Sequence, residues 1–256
     1  MCSYNGELIF TCIDDEGQLE VVDESTARTL HFGARARQST MFFRDRYELA
    51  LNYTRCMMVS LVLLEEKPTS ALMLGLGGGS LARFLSHHYP ECHLDAVERR
   101  AAVIDLARRF FELPRTLQVW RMDAERFLKE EGKRSYDLVL VDLHTPYGMA
   151  SANGSPGFVA ACRRLLNPGG VLSVNLWSGT ADDMLQRVES QLTEAFDGRV
   201  LHLPVAGKRN FVALGLTSSA DAQREAASRP RARELEAQLG IEFSTMLEEL
   251  SPASER

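Results

Sequence analysis

Asp142 is the residue of this chain best placed to do chemistry. It closes the apolar run at 138–141 and opens a stretch rich in Gly, Ser and Pro at 144–157. In open α/β sheets, ligands bind at the carboxyl ends of the strands. A carboxylate there, beside a sulfonium centre, could orient an incoming amine or take its proton. An Asp that only caps the following loop is the competing reading. His144 is a candidate partner base, although a single loop histidine is more often a bystander.

Three other features suggest a nucleoside. The glycines of Gly75-Leu76-Gly77-Gly78-Gly79-Ser80 follow an apolar run, and glycine there allows a tight turn and close approach of a cofactor to the main chain. A glycine-rich turn without a ligand would look the same. Glu98 stands 21 residues beyond Gly77, where a carboxylate can accept from both hydroxyls of a ribose. Its neighbours Arg99 and Arg100 also suit a surface glutamate that starts a helix. Asp123 can accept from an adenine amino group while the adjacent backbone N–H, that of Ala124, reaches the ring; it is equally suited to be a helix N-cap. The first two features are shared with dinucleotide enzymes. Asp123-Ala124 separates an S-adenosylmethionine type of ligand from NAD.

These residues need elements that bring them together. Apolar runs at 71–76, 94–98, 117–121, 137–142 and 171–177 alternate with helical stretches at 80–88, 100–112, 157–166 and about 180–196. Such alternation means a parallel sheet covered on both faces. Runs at 200–204 and 210–216 are joined by a link too short for a helical crossover, so they pair antiparallel. The expected fold class is α/β: a Rossmann-like, methyltransferase-type sheet, mostly parallel with one antiparallel terminal strand. A small antiparallel N-terminal sheet precedes it, from runs at 7–13, 19–23 and 28–32. The expected organisation is a β subdomain over 1–46, a nucleoside-binding domain over 47–217 and a tail over 218–256. A helix is expected over 47–64. The tail is expected to be a loosely attached helix, frayed or used in an interface.

With 256 residues, 45% hydrophobic and 25% charged, the composition is that of a folded globular chain. Net charge is −6, which argues against a polyanion such as nucleic acid as partner. No stretch is long and apolar enough for a membrane span, and no signal peptide is read at the N-terminus. Five cysteines without a CxxC pair predict reduced thiols in the cytoplasm and no metal site.

Over about 28–217 the sequence resembles the spermidine/spermine synthase family of polyamine aminopropyltransferases, in a divergent bacterial branch. The matching residues are Gln38-Ser39, Tyr53 before an apolar helix, GLGGGSLARFL at 75–85, AVE at 96–98, DA at 123–124, YDLVLVD at 136–142 and LNPGGVLSVNLW at 166–177. The resemblance implies decarboxylated S-adenosylmethionine as donor, a small-molecule amine as acceptor and methylthioadenosine as product. It implies that Gln38 touches the thioadenosine, Gly75, Gly77 and Gly78 cradle it, Glu98 holds the ribose and Asp123-Ala124 the adenine. Asp142 would accept the proton, with Tyr53, Ser80 and His144 toward the substrate. A homodimer is the candidate assembly.

The chain departs from the family pattern in its amine half. The family's GGGDG has Ser80 where the Asp stands. The second Asp of Asp-x-x-Asp-Pro is Thr145, and Tyr-His-Glu reads Tyr53-Thr54-Arg55. Each change removes an anion or polar group that a dication would need. Two alternatives therefore stand beside aminopropyl transfer: a methyltransferase using S-adenosylmethionine itself, and a non-catalytic nucleoside-binding protein.

Overall fold

A computed structural model describes residues 4–145, 148–177, 182–218 and 222–253. Strands β1 (Glu7–Asp14), β2 (Gly17–Asp23), β3 (Ala27–His31) and β4 (Arg37–Phe42) form an antiparallel meander in that order. The fourth strand was not expected, because its sequence RQSTMF has no clear apolar alternation. Pairing with β3 nevertheless buries Ser39, Thr40 and Met41.

The continuous helix expected over 47–64 does not form. Asp45 Oδ1 accepts the backbone N–H groups of Tyr47 and Glu48 and closes a turn. Helix begins only at α1 (Asn52–Met57) and breaks before α2 (Ser60–Leu63). The hydroxyls of Thr54 and Ser60 donate to carbonyls three residues back, at 2.6 and 2.7 Å. The backbone follows with bonds from Met58 to Arg55 and from Val59 to Cys56. Local bonds of this kind compete with the α-helical ladder. The apolar stripe of Met57, Met58, Leu61 and Leu64 is buried all the same.

The main unit alternates as read, with one further helix (α5, Ala124–Glu130) and a short hairpin that the sequence reading did not include. It runs β5 (Ser70–Leu74), α3 (Ser80–His88), β6 (His93–Val97), α4 (Ala101–Phe110), β7 (Gln118–Trp120), α5 (Ala124–Glu130) and β8 (Tyr136–Val141). A short hairpin, β9 (His144–Thr145) with β10 (Gly148–Met149), follows. Then come α6 (Phe158–Arg164), β11 (Leu166–Trp177), α7 (Asp182–Ala195), β12 (Val200–Pro204) and β13 (Asn210–Leu216). The chain closes with α8 (Ala222–Leu239), α9 (Phe243–Glu249) and β14 (Ser251–Pro252).

The large sheet has the order β14-β12-β13-β11-β8-β5-β6-β7. Strands β11, β8, β5, β6 and β7 are parallel, and β13 inserts antiparallel between β11 and β12. The expected fold class therefore holds, with the last long strand lying inside the sheet rather than at its rim. Alternate residues serve opposite faces. Ala71 and Met73 of β5 join the core on the side of α1, α2, α3 and the tail, while Leu72 and Leu74 join the core on the side of α5, α6 and α7. This two-sided cover explains strands that read as unbroken apolar runs. The meander packs Leu19, Val21, Leu30 and Met41 against Val103 and Leu106 of α4.

The tail is not loosely attached over its later part. Ala232, Leu235, Leu239, Ile241 and Phe243 join the main core. Arg231 donates to the carbonyls of Leu61, Glu65 and Glu66, and β14 extends the sheet beside β12. Among the described residues no helix is long and apolar enough to cross a membrane.

Candidate active site

The carboxyl ends of β5, β6, β7 and β8 open into a cavity of about 720 Å³, roofed by the meander and by the loop before α1. Gln38, Tyr53, Gly75, Gly77, Glu98, Asp123, Ala124, Asp142 and His144 all line it. Ser80 lines a smaller cleft that adjoins it and shares Gln38, Tyr53 and Asp142 with it. Gly78 is buried instead: an added Cβ there would lie 2.9 Å from Ser39 and 3.1 Å from Phe111. Pro146, the last residue of the acidic motif, lies outside the described residues.

The glycine turn is built for two different reasons. Gly75 has φ +98, and a Cβ on it would stand 2.3 Å from the carbonyl oxygen of Asp142. Glycine is thus what lets β5 end against β8. Gly77 has φ +52, but a Cβ there would find its nearest neighbour only at 3.7 Å. Its left-handed backbone favours glycine, and a side chain there would meet Ser39 and Gln38 only at ordinary contact distance.

Glu98 follows β6. Its Oε1 accepts the N–H of Arg100 at 2.8 Å and its Oε2 that of Leu76 at 3.3 Å. Burial raises its pKa, against the lowering effect of those two amides. The neighbouring arginines are occupied elsewhere: Arg99 pairs with Glu16 and Arg100 with Asp14. These pairs latch the β1–β2 hairpin over the cavity, and among the described residues the glutamate has no direct ion pair. Asp123 does act as the N-cap of α5, its Oδ1 accepting from the N–H groups of Glu125 and Arg126. Capping and cavity lining coexist in this residue.

Asp142 is held by two side-chain hydrogen bonds and has His144 beside it. Tyr53 donates its hydroxyl to Oδ2 at 3.0 Å, and Asn175 donates to Oδ1 at 2.9 Å. His144 Nδ1 stands 3.2 Å from Oδ1. Burial alone would raise the Asp142 pKa, but contact with His144, Asn175 and Tyr53 outweighs it and lowers the value. Burial in turn pushes the Tyr53 phenol well above its usual pKa, with Asp142 adding to the effect, so Tyr53 remains a donor. Asn175 is itself oriented, because Asn210 donates to its Oδ1 at 3.0 Å. Asn175 and Asn210 had no role in the sequence reading. The available signal was a lone Asn within the apolar run VLSVNLW.

The other departures from the family pattern have structural partners. Thr54 bonds within its own turn. Arg55 pairs with Glu242 and donates to the Gly240 carbonyl, which fastens the tail to α1. The Thr145 hydroxyl donates to the carbonyl of Gly148 across the β9–β10 hairpin.

Comparison with known proteins decides the family. A polyamine aminopropyltransferase of Chromobacterium violaceum is 34% identical over 242 residues, spanning 93% of this chain and 91% of the relative. The chain belongs to the polyamine aminopropyltransferase family. It is therefore a transferase by kinship. A methyltransferase domain model matches residues 71–170, the stretch from β5 into β11. The fold is also that of solved spermidine synthases. One from Thermotoga maritima aligns with a TM-score of 0.71 at 13% identity, over 94% of this chain and 84% of that one. A probable spermidine synthase from Corynebacterium glutamicum aligns at 0.70 with 20% identity, over 87% and 86%.

Proposed function

We propose that this chain moves an aminopropyl-type group from an adenosine-sulfonium donor to a small-molecule amine. The observation that carries the reading is one cavity with two halves. Glu98 and Asp123 lie on one side of the glycine turn, and a firmly held Asp142 lies on the other. The residues present suit the nucleoside: Glu98 for the ribose diol, Asp123 and Ala124 for the adenine, Gln38 for the thioadenosine, Gly75 and Gly77 for close approach. Tyr53, Ser80 and His144 lie toward the reacting end.

The donor, S-adenosylmethionine or its decarboxylated form, supplies a carbon made electrophilic by the sulfonium. The protein supplies proximity and charge. Asp142 is a carboxylate at neutral pH because the nearby His144 and the Asn175 and Tyr53 donors favour its charged form. It attracts and orients an amine, and takes a proton as the nitrogen loses electron density in forming its new bond. Transfer of the aminopropyl chain releases methylthioadenosine. A second reading, methyl transfer on the same scaffold, is favoured by the methyltransferase domain match and by Ser80 in place of an acidic residue.

Selective binding to the folded state raises the melting temperature by mass action. Methylthioadenosine or S-adenosylmethionine should raise the Tm, and NAD should not. A shift with NAD alone contradicts the adenosine-sulfonium reading.

A further inference from the structure

One carboxylate outside the cavity is buried in the core of the sheet. Asp95 of β6 is 4% exposed. It lies in register between Leu72 of β5 and Gln118 of β7. Its partners Trp120 and Tyr136 belong to the core on the side of α5, α6 and α7. Tyr136 donates its hydroxyl to Oδ2 at 2.8 Å, Trp120 donates its indole N–H to Oδ1 at 3.1 Å, and His93 Nε2 stands 3.0 Å from Oδ2. Burial raises the Tyr136 phenol above its usual pKa, and the bond to Asp95 adds to this, so Tyr136 remains the donor. A carboxylate in such surroundings is costly unless it is hydrogen-bonded, and an apolar residue avoids that cost altogether. What Asp95 adds is direction: it fixes one ring on β7 and another on β8.

The ring on β7 bears on the cavity. β7 has three residues and is the last strand in the order β8-β5-β6-β7, paired among the described residues with β6 alone. The backbone carbonyl of Trp120 accepts two N–H groups, from Glu98 at 3.0 Å and from Met122 at 3.1 Å. Glu98, Met122, Asp123 and Ala124 all line the cavity. The Trp120 ring also stands edge-on to Phe127 of α5, with centroids 5.5 Å apart, and the Phe127 N–H donates to the Asp123 carbonyl at 2.9 Å. Trp120 therefore joins the ribose side of the site to the adenine side, and Asp95 is the polar anchor of its side chain.

We propose that Asp95 is a positioning residue for nucleoside recognition: through Trp120 it sets the spacing between Glu98 and the Asp123-Ala124 pair, and with it the preference for adenine. The role rests on the adenosine-sulfonium reading of the cavity. Residues that hold a site in its binding geometry raise affinity without touching the ligand. Asp142 has separate partners in Tyr53 and Asn175, so the effect falls on donor binding rather than on the transfer step.

Trp120→Phe removes the indole N–H and keeps an aromatic ring against Phe127. Calorimetry with methylthioadenosine, and with its inosine counterpart that carries an oxo group in place of the adenine amino group, reads the effect. The variant should bind methylthioadenosine about fivefold more weakly and discriminate less between the two bases. In transfer assays its donor KM should rise with kcat nearly unchanged. Tyr136→Phe is the control for stability alone. It loses a bond to Asp95 but leaves that of Trp120, so it should lower the melting temperature and keep the base preference of the wild type. If Trp120→Phe does not fold, Asp95→Leu, which removes the acceptor itself, is read in the same way. Unchanged affinity and base preference in a folded variant overturn the positioning role and leave the nucleoside site standing. An equal loss of base preference in Tyr136→Phe overturns it too. Failure of the wild type to bind methylthioadenosine overturns both this role and the adenosine-sulfonium reading.

Discussion

Asp142 and Glu98 are half-buried carboxyls that the fold treats in opposite ways. Asp142 receives Tyr53, Asn175 and His144, and its lowered pKa keeps it charged through the neutral range. Its contribution to stability is present above the unfolded-state pKa and lost as pH falls through the still lower folded value. Asp142→Asn preserves size but cannot take a proton. Transfer should fall by roughly 10²–10⁴, with methylthioadenosine affinity nearly intact. A fully active variant, measured beside its affinity, would remove Asp142 from the mechanism. Glu98 runs the other way. Its pKa is raised above 4.5 by burial, so the stability it confers is complete at low pH and lost as pH rises through the folded value. Glu98→Gln should therefore leave the Tm at pH 7 unchanged or higher. Glu98→Ala should lose charge-assisted hydrogen bonds to the ribose, each about 1.5–3 kcal/mol, and weaken nucleoside binding at least tenfold by calorimetry. In the wild type, that affinity should drop as pH falls toward the raised pKa, and the drop should be absent from Glu98→Gln. A flat pH dependence would mean that the ribose does not sit on this carboxylate.

Elements set these side chains by where strands stop. The ends of β5, β6, β7 and β8 lie along one edge, which is why Gly75, Glu98, Asp123 and Asp142 were legible as a group from the sequence: apolar runs fix the strands, and the polar residues just after them fall at the edge. The supporting residues were not legible. Asn175 and Asn210 sit on β11 and β13, 35 positions apart, and only the antiparallel register of those strands joins them into a relay onto Asp142. The broken helix over 47–64 escaped for a different reason, since hydroxyl-to-carbonyl bonds of Thr54 and Ser60 override a good helical pattern. Asn175→Leu removes a donor from Asp142 and leaves Asn210 without its acceptor. It should lower transfer and move the acid limb of the rate profile toward neutrality, because one of the bonds holding the Asp142 pKa down is gone. An unchanged pH profile would show that Asn175 does not act through Asp142.

At the scale of the whole molecule, parts distant in sequence converge on the wall behind the site. The meander closes over the cavity through Arg99–Glu16 and Arg100–Asp14, and the tail backs α1 and α2 through Arg55–Glu242 and the Arg231 clamp. Tyr53 belongs to α1, so tail packing bears on the reach of its hydroxyl to Asp142. The Ala-, Arg- and Glu-rich composition of the tail hid this role, because its buried residues Ala232, Leu235, Leu239 and Phe243 are spaced among charges. Phe243, fully buried, should cost about 3–5 kcal/mol when cut to Ala, read as a lower midpoint in urea. A change below 1 kcal/mol would mean a tail that is detached in solution. Group transfer itself is tested most directly by incubating the full chain with S-adenosylmethionine or its decarboxylated form and a panel of amines, with products resolved by mass spectrometry. The expected result is methylthioadenosine together with an amine enlarged by the donor's side chain, formed by the wild type and lost with Asp142→Asn. Tight nucleoside binding with no modified amine from either donor would contradict catalysis and leave a binding protein on an enzyme's fold.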